Sequence, residues 1–415
     1  MSEENNIPKH WQVKKLGGVC EKVEKVNRKG KDLEEELLYL DIGGIDNNTN
    51  KILDHKNYKW KDAPSRAQQI VKIGDILFST VRTYLKNIAL VENKIHEGQI
   101  ASSGFCVIRG NKKVITSEFI FYYSISQCFL QPLNELQTGS SYPAVRDKDV
   151  FSQPIPIPPL AEQKAIVFKI EELLSDLENG KQQLQIAQQQ LKIYRQSLLK
   201  WAFEGKLTNK NVEDGELPKG WKWMLISDLC NVVRGGSPRP AGDPKFYDGN
   251  IPFLKVRDIT KDSNKYLTTF EYTIKEAGLH KTRQINPNTL LLSNSGATLG
   301  VPKICMIDAT MNDGIAAFLD LDKRSNLYLY YFWVSKTREL RNINMGAAQP
   351  NLNTDIIKNY SVPIPPLSEQ QLIVDELESK LTVCDKIEET ISQSLLHAES
   401  LRQSILKKAF EGKLL

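Results

Sequence analysis

The chain has 415 residues, of which 40% are hydrophobic and 25% charged, enough to build two or three ordinary globular domains and too apolar for a disordered chain. No apolar run reaches the roughly 20 residues that span a bilayer, and MSEENNIPKH lacks the basic start and apolar stretch of a signal peptide. The expectation is a cytoplasmic protein with no membrane partner. The net charge of +5 is small, so it carries meaning only where it is concentrated.

Six cysteines and five histidines are scattered without C-x-x-C, H-x-x-x-H or H-E-x-x-H spacing. A zinc site and a disulfide framework are therefore not expected, and the cysteines read as small buried hydrophobes.

An internal repeat organises the rest. Pro156 to Leu207 opens with PIPPLAEQ and closes with RQSLLKWAFEGKL; Pro363 to Leu414 opens with PIPPLSEQ and closes with RQSILKKAFEGKL. Gln163 with Gln370 and Lys206 with Lys413 keep one offset of 207 residues, so the copies are ungapped. Weaker matches precede each copy: Ile7 to Cys20 resembles Leu217 to Cys230 at an offset of 210, and Gly139 to Pro143 mirrors Gly346 to Pro350 at 207. The chain reads as a tandem with boundaries at 1–153 and 209–360 for two variable segments, and 154–208 and 361–415 for two shared ones.

Taken in chain order, the first variable segment shows a strand at Tyr39 to Ile42, a turn into a strand at Val71 to Ser79, and an amphipathic helix over Ser117 to Gln131. The second variable segment repeats this at Phe253 to Val256, Ile285 to Ser293 and Leu327 to Arg341. An α+β fold is predicted for both. Each shared segment starts with an extended Pro-rich stretch, because proline removes donors and restricts its predecessor. A long helix follows. Its apolar residues recur in steps of four and three at Ile166, Ile170, Leu173, Leu177, Leu184, Leu191, Tyr194 and Leu198, with the small Gly180 and Ala187 and the terminal Trp201 on the same register. In the second copy Ile373, Leu377, Cys384, Ile387, Ile391, Ala398, Leu401 and Ile405 do the same. About 40 residues make a helix of roughly 60 Å, longer than a small domain is wide, so each helix needs another long helix to lie on. An antiparallel coiled coil between the two copies, with pseudo-two-fold symmetry, is the expectation.

Catalytic signatures do not emerge. The chain shows no G-x-x-x-x-G-K-[ST], G-x-G-x-x-G or G-x-S-x-G motif, and Asn286-Pro287-Asn288-Thr289 is not the N/D-P-P-F/Y turn of an adenine methyltransferase. Asp147 and Asp149 read as solvated turn residues. Charge gives a different pointer: the variable segments carry net +3 and +4, the shared ones +1 and −3. The positive excess falls where a DNA contact belongs if the helices serve as a spacer.

Candidate contact residues are the basic, hydroxyl and amide side chains clustered beside strands. In the first half these are Arg82, Thr83, Tyr84, Lys86, Ser140, Ser141 and Tyr142. In the second half they are Arg234, Ser237, Arg239, Lys255, Arg257, Ser293, Asn294, Ser295 and Thr298. Arginine can read guanine through two hydrogen bonds, asparagine can read adenine, and hydroxyls suit phosphates.

The paired PIPPLxEQ and AFEGKL elements, one set after each variable segment, resemble the DNA-specificity subunits of type I restriction-modification systems over essentially the whole length. That resemblance implies a noncatalytic chain whose variable segments are target recognition domains, each reading half of a split, asymmetric site on double-stranded DNA. The helices would set the spacing and dock two modification (methyltransferase) subunits, with restriction (translocase and nuclease) subunits joining them. No cofactor would bind this chain: S-adenosylmethionine, ATP and Mg²⁺ would belong to the partners. A tandem-domain coiled-coil scaffold for protein partners, or an enzyme of unrecognised chemistry, are the alternatives.

Overall fold

The computed structural model describes residues 7–209, 211–213, 215–296, 298–343 and 351–415. They fall into two compact units, Met1–Gln185 with Ser392–Leu415, and Ile186–Ile391.

In the first unit two four-stranded sheets form the variable part. One places Ile76–Ser79 between Phe105–Gly110 and Ile88–Leu90; the other places Glu36–Leu40 beside Ile100–Ser102. The strand Ile76–Ser79 is buried along its whole length, as its unbroken apolar run requires when both faces are covered. Against it pack α1 (Ser117–Ser124) and α2 (Gln127–Glu135), followed by α3 (Asp147–Phe151). The single helix predicted over Ser117 to Gln131 is therefore two. Ser126 breaks it, entering α2 with extended backbone while its hydroxyl donates to the Tyr123 carbonyl at 2.7 Å. Asp147 and Asp149 sit in the first turn of α3, where Asp149 accepts from the Arg146 N–H and guanidinium.

The long helix α4 (Leu160–Phe203) follows. In the second unit α5 (Ile226–Leu229) and α6 (Val256–Thr260) punctuate a five-stranded and a four-stranded sheet, with Thr289–Ser293 central in the former. Then come α7 (Asn326–Ile343), α8 (Thr354–Lys358) and the second long helix, α9 (Leu367–Phe410).

The repeat is visible as register. Gln12–Lys15 pairs antiparallel with Pro154–Ile157, Gln12 opposite Ile157; Lys222–Leu225 pairs with Ser361–Ile364, Lys222 opposite Ile364. The Pro-rich stretches are tolerated here because a two-stranded ribbon leaves one edge of each strand without ladder bonds to make. The shared motif residues that follow serve the same joint. Gln163 is fully buried, donating to the Pro158 and Val114 carbonyls and accepting from the Thr116 N–H, so it satisfies the turn that starts α4. Glu162 accepts from the Trp11 indole at 2.9 Å and meets His10 at 2.8 Å. In the second copy Gln370 donates to the Pro365 carbonyl, while Glu369 turns instead to Thr208 and Asn209.

The closing AFEGKL elements end the helices. Gly205 and Gly412 have φ of +75° and +70°, the left-handed residue that stops a helix. A Cβ on Gly205 would lie 2.2 Å from Pro218 Cγ, and one on Gly412 2.3 Å from Pro8 Cγ. Phe410 packs edge-on against Phe119 and Tyr123, and Phe203 likewise against Tyr328 and Phe332. Each helix end is thus fastened to the I/L-P-K-x-W segment of the opposite copy: 409–412 to 7–11 in the first unit, 202–205 to 217–221 in the second.

This arrangement makes the long helices antiparallel. The start of α4 shares a core with the end of α9 in the first unit (Ile166 and Ile170 with Leu406 and Ala409). The end of α4 shares one with the start of α9 in the second (Leu191 and Leu198 with Ile373, Leu377 and Cys384). Ile166 and Ile373 are buried as expected, but beyond them the seam departs from the predicted register at every second position. One heptad position is as expected: Ile170, Leu177, Leu184, Leu191 and Leu198, and Leu377, Cys384, Ile391, Ala398 and Ile405, are buried or half-buried. The other lies one residue later than predicted. Leu174, Lys181, Gln188, Arg195 and Ala202, with Leu381, Glu388, Leu395, Arg402 and Ala409, turn inward. Leu173 and Ala187 are half-buried, whereas Tyr194, Trp201, Ile387 and Leu401 are 41%, 38%, 43% and 51% exposed, and Gly180 is exposed. Lysine and arginine are admitted to a seam because their stems pack while their charges reach its edge. Arg195 does so by pairing with Asp385 and Glu388 at 2.7 and 3.0 Å.

Among the described residues no helix is long and apolar enough to cross a membrane. Cys106, Cys230, Cys305 and Cys384 are buried and Cys20 half-buried, but Cys128 is exposed, contrary to expectation, because it lies on the outer side of α2.

Candidate nucleic-acid interface

In the first unit the structure joins the two predicted contact segments. The loop leaving Ile76–Ser79 bridges the loop before α3: Val81 pairs with Ala144, the Arg82 N–H donates to the Pro143 carbonyl at 2.7 Å, and the Val145 N–H to the Thr80 carbonyl at 2.9 Å. The Arg82 guanidinium donates to the Ser141 carbonyl at 2.9 Å and stands 4.7 Å from the centre of the Tyr142 ring. Tyr142 is 71% exposed and Tyr84 50%, with Ser140 and Ser141 exposed beside them. A cation lying on an aromatic face is stiffened without being neutralised. The pair presents both charge and a flat apolar surface.

Arg82 and Lys86 are both left-handed, at φ +50° and +56°, a conformation costing of order 1 kcal/mol for a residue with a Cβ. Thr83 holds the turn between them. It is 2% exposed, donating to Asn134 Oδ1 and accepting from Gln137 Nε2, each at 2.6 Å. Thr83 is thus a support and not a contact residue. The Lys86 ammonium is 3.7 Å from Glu399 on α9.

In the second unit three predicted segments converge on a turn that the sequence reading passed over, Asn312-Asp313-Gly314. Arg234 Nε donates to the Asp313 carbonyl, Ser237 Oγ to Asp313 Oδ1 at 2.6 Å, and Arg239 lies 3.5 Å from Asp313 Oδ2. Gly235 permits this approach, since a Cβ there would sit 2.1 Å from the Asn312 carbonyl oxygen. A Cβ on Gly314 would strike Val256 Cγ2 at 2.5 Å and Ser295 Oγ at 2.8 Å, which shows how closely the 255–257 and 293–298 segments adjoin the turn. Lys255 Nζ stands 3.4 Å from the Tyr272 ring centre, and the largely exposed Arg257 is 3.5 Å from Glu271.

Two predicted contacts face inward here. Ser293 is fully buried, donating to the Thr298 carbonyl and accepting from the Val301 N–H, so it shapes the loop from beneath. Asn294 is also fully buried, and neither its amide oxygen nor its amide nitrogen has a partner among the described residues. Ser295 pairs with Asn351, and Thr298 is exposed. The matched segment Gly346 to Pro350 lies outside the described residues.

The two clusters share a frame. The first unit's counterpart of the Asn312-Asp313-Gly314 turn is Ser102-Ser103-Gly104: Ser102 Oγ and Asn312 Oδ1 each accept, at 3.2 Å, the N–H of the glycine two residues on. Thr80 and Asn294 donate their N–H groups to those two glycine carbonyls. The side chains on the frame differ, however. An aspartate that organises two arginines in one unit is an exposed serine in the other, and the arginine–tyrosine stack occupies a position where the second unit has Gly296. The N-D-G triplet between two apolar runs was legible as a turn; that it would serve as a hub was not.

Comparison with known proteins agrees with this geometry. The family model described as Type I restriction modification DNA specificity domain matches residues 8–188 and again 218–397. Among curated relatives, the type I restriction enzyme EcoBI specificity subunit of Escherichia coli is 29% identical over 316 residues, 71% of this chain and 65% of the relative. This chain thus spans just under two thirds of that relative's length. The crystal structure of the HsdS subunit from Thermoanaerobacter tengcongensis superposes with a TM-score of 0.71 at 30% identity, covering 98% of both chains. A chain from a structure of the type I R-M system, concerned with its complex assembly and conformational transition, gives 0.77 at 30% identity, covering 98% of this chain and 99% of that one. The two matched stretches each contain one of the loop clusters and the start of a long helix, and on that ground the chain belongs to the family of type I restriction-modification DNA specificity proteins.

Proposed function

We propose that this chain is the noncatalytic specificity subunit of a type I restriction-modification complex, in which each variable domain reads one half of a bipartite, asymmetric site on double-stranded DNA. One observation carries the reading: the same loop frame occurs twice, with different side chains on it. Equal frames suit equal docking on the duplex, and unequal side chains suit unequal base sequences. The readers are the domains within 1–153 and 209–360. Their contact groups are Arg82, Tyr84, Lys86, Ser140, Ser141 and Tyr142 in one, and Arg234, Ser237, Arg239, Lys255, Arg257, Ser295 and Thr298 in the other.

The helical segments 154–208 and 361–415 set the distance between half-sites and dock two methyltransferase subunits. Support for docking comes from the outward apolar residues that the seam leaves free: Ile186, Ile193, Tyr194 and Trp201 on α4, and Val383 and Ile387 on α9, all more than a third exposed. A run of this kind on a charged helix suits a further helix laid alongside. S-adenosylmethionine is the methyltransferase's cofactor, and ATP and Mg²⁺ serve restriction subunits that join the same core in the cytoplasm.

The test is binding. Purified chain mixed with its methyltransferase subunit should retain one DNA sequence against excess random DNA; a mixture that retains none contradicts the reading, and a chain that captures only protein favours a scaffold. Inserting one heptad within residues 181–193 should change the spacer recognised while leaving both half-sites intact.

A further inference from the structure

The loop that carries Arg82 and Lys86 is held by a residue outside it. Asn50 is 4% exposed and left-handed at φ +56°. Its amide nitrogen donates to the carbonyls of Lys86 at 3.0 Å and Ile88 at 3.2 Å, closing off the C-terminal end of the contact loop. Its amide oxygen accepts from Arg402 of α9 at 2.8 Å, and the other Arg402 nitrogen donates to the Asn48 carbonyl at 3.2 Å. One helical turn before Arg402, Glu399 faces the Lys86 ammonium at 3.7 Å. The segment leading to Asn50 is itself fixed, because Asp46 accepts from Asn48 and Thr49. The Asn50 amide is thus committed on both sides: its nitrogen to the end of the contact loop at Lys86 and to the strand that follows at Ile88, and its oxygen to the helix.

We propose that Asn50 is a positioning residue for half-site reading by the first domain: it locks the left-handed end of the 82–86 loop and ties that loop to α9 through Arg402. The inference rests on the proposed function. It goes beyond it by assigning a role to a residue that need not touch DNA. The geometry favours this over a general structural role for two reasons. Lys86 closes the Thr83–Leu85 turn in the left-handed conformation, its N–H donating to the Thr83 carbonyl, and Asn50 bonds the carbonyl that this conformation presents to it; and a seam arginine is spent on this contact although its counterpart Arg195, 207 residues earlier, pairs with carboxylates instead. The second domain solves the neighbouring problem differently, with the buried Lys303 reaching Asp262 and Asn264, and Lys265 meeting Glu378.

The experiment is methylation by the reconstituted complex of this chain and its methyltransferase subunits, on the native site and on sites altered in either half. Asn50→Gly keeps the left-handed backbone accessible while deleting the amide. Arg82→Ala marks which half the first domain reads. With the fold verified by a single cooperative thermal transition well above the assay temperature, Asn50→Gly is expected to lower the rate on the native site about tenfold. It should relax discrimination in the half that Arg82→Ala also relaxes and leave discrimination in the other half at the wild-type ratio. Arg402→Ala, which frees the Asn50 amide oxygen and the Asn48 carbonyl but leaves the bonds from the Asn50 amide nitrogen in place, should act in the same half and more weakly; it carries the test if Asn50→Gly does not fold. Wild-type rates and ratios in both variants, or equal relaxation in both halves, would overturn the inference. A wild-type complex that methylates no bipartite site would instead overturn the proposed function beneath it.

Discussion

A hydroxyl or amide beside a strand looks like a contact residue in sequence, and Ser293 shows why it often is not one. A loop that leaves a buried strand still has backbone groups to satisfy, and a short polar side chain folded inward is the cheapest partner. Ser293 spends both its donor and its acceptor that way. The exposure of Tyr142 and Arg239 was legible because a long or flat side chain is not easily hidden in so tight a turn. The glycines of the shared motif give a stability prediction at this scale. Gly412→Ala combines a positive φ with a Cβ aimed at Pro8, so it should lower stability by about 2–4 kcal/mol in denaturant melts. Gly180→Ala, in mid-helix with nothing within 4 Å of the new Cβ, should instead stabilise by about 1 kcal/mol. His96 gives a pH dependence. Burial, then the neighbouring His55, hold its pKa below the ordinary 6.5. The folded state therefore binds fewer protons than the unfolded one, so stability is fully present above about pH 6.5 and is lost as pH falls below it. His96→Gln should flatten that slope in melts between pH 5 and 7.

Between elements, the coiled-coil seam is where pattern and structure part. Counting apolar residues favours Tyr194, Trp201, Ile387 and Leu401 over Arg195, Ala202, Glu388 and Arg402, yet the second set turns inward. Two stripes share each helix, one for the seam and one facing outward, and a single-sequence count merges them. The helices' existence, equal lengths and pairing were legible because proline starts them, Gly-Lys ends them and 44 residues cannot lie on one small domain. The split between α1 and α2 was not, since Ser126 acts through its extended backbone and its hydroxyl bond back to the Tyr123 carbonyl and not through any break in periodicity. Stability separates the two registers. Leu198→Ala should cost about 2–5 kcal/mol, while Tyr194→Ala, at 41% exposure, should change stability by less than about 1 kcal/mol yet weaken binding of the methyltransferase subunit. Comparable losses in stability from both would restore the register with Tyr194 in the seam.

Over the whole chain, the duplication explains more than any single motif. The repeat of PIPPLxEQ and AFEGKL is a repeat of joints: the first orders the entry into each helix through buried Gln163 and Gln370, and the second fastens each helix end to the opposite copy's Trp11 or Trp221 segment. These positions carry no chemistry beyond packing and hydrogen bonding, which is why the catalytic reading had nothing to grip. The proposed function rests on what the joints hold, two loop clusters of matched frame and unmatched side chains. The most direct measurement is base-resolution methylation mapping of the host genome with and without this chain. Removing the chain is expected to abolish methylation at one motif made of two different half-sites separated by a fixed, unread spacer, and Arg82→Ala to relax one half-site only. A methylation map unchanged by removal of the chain, or a lost motif that is continuous, would contradict the proposed function.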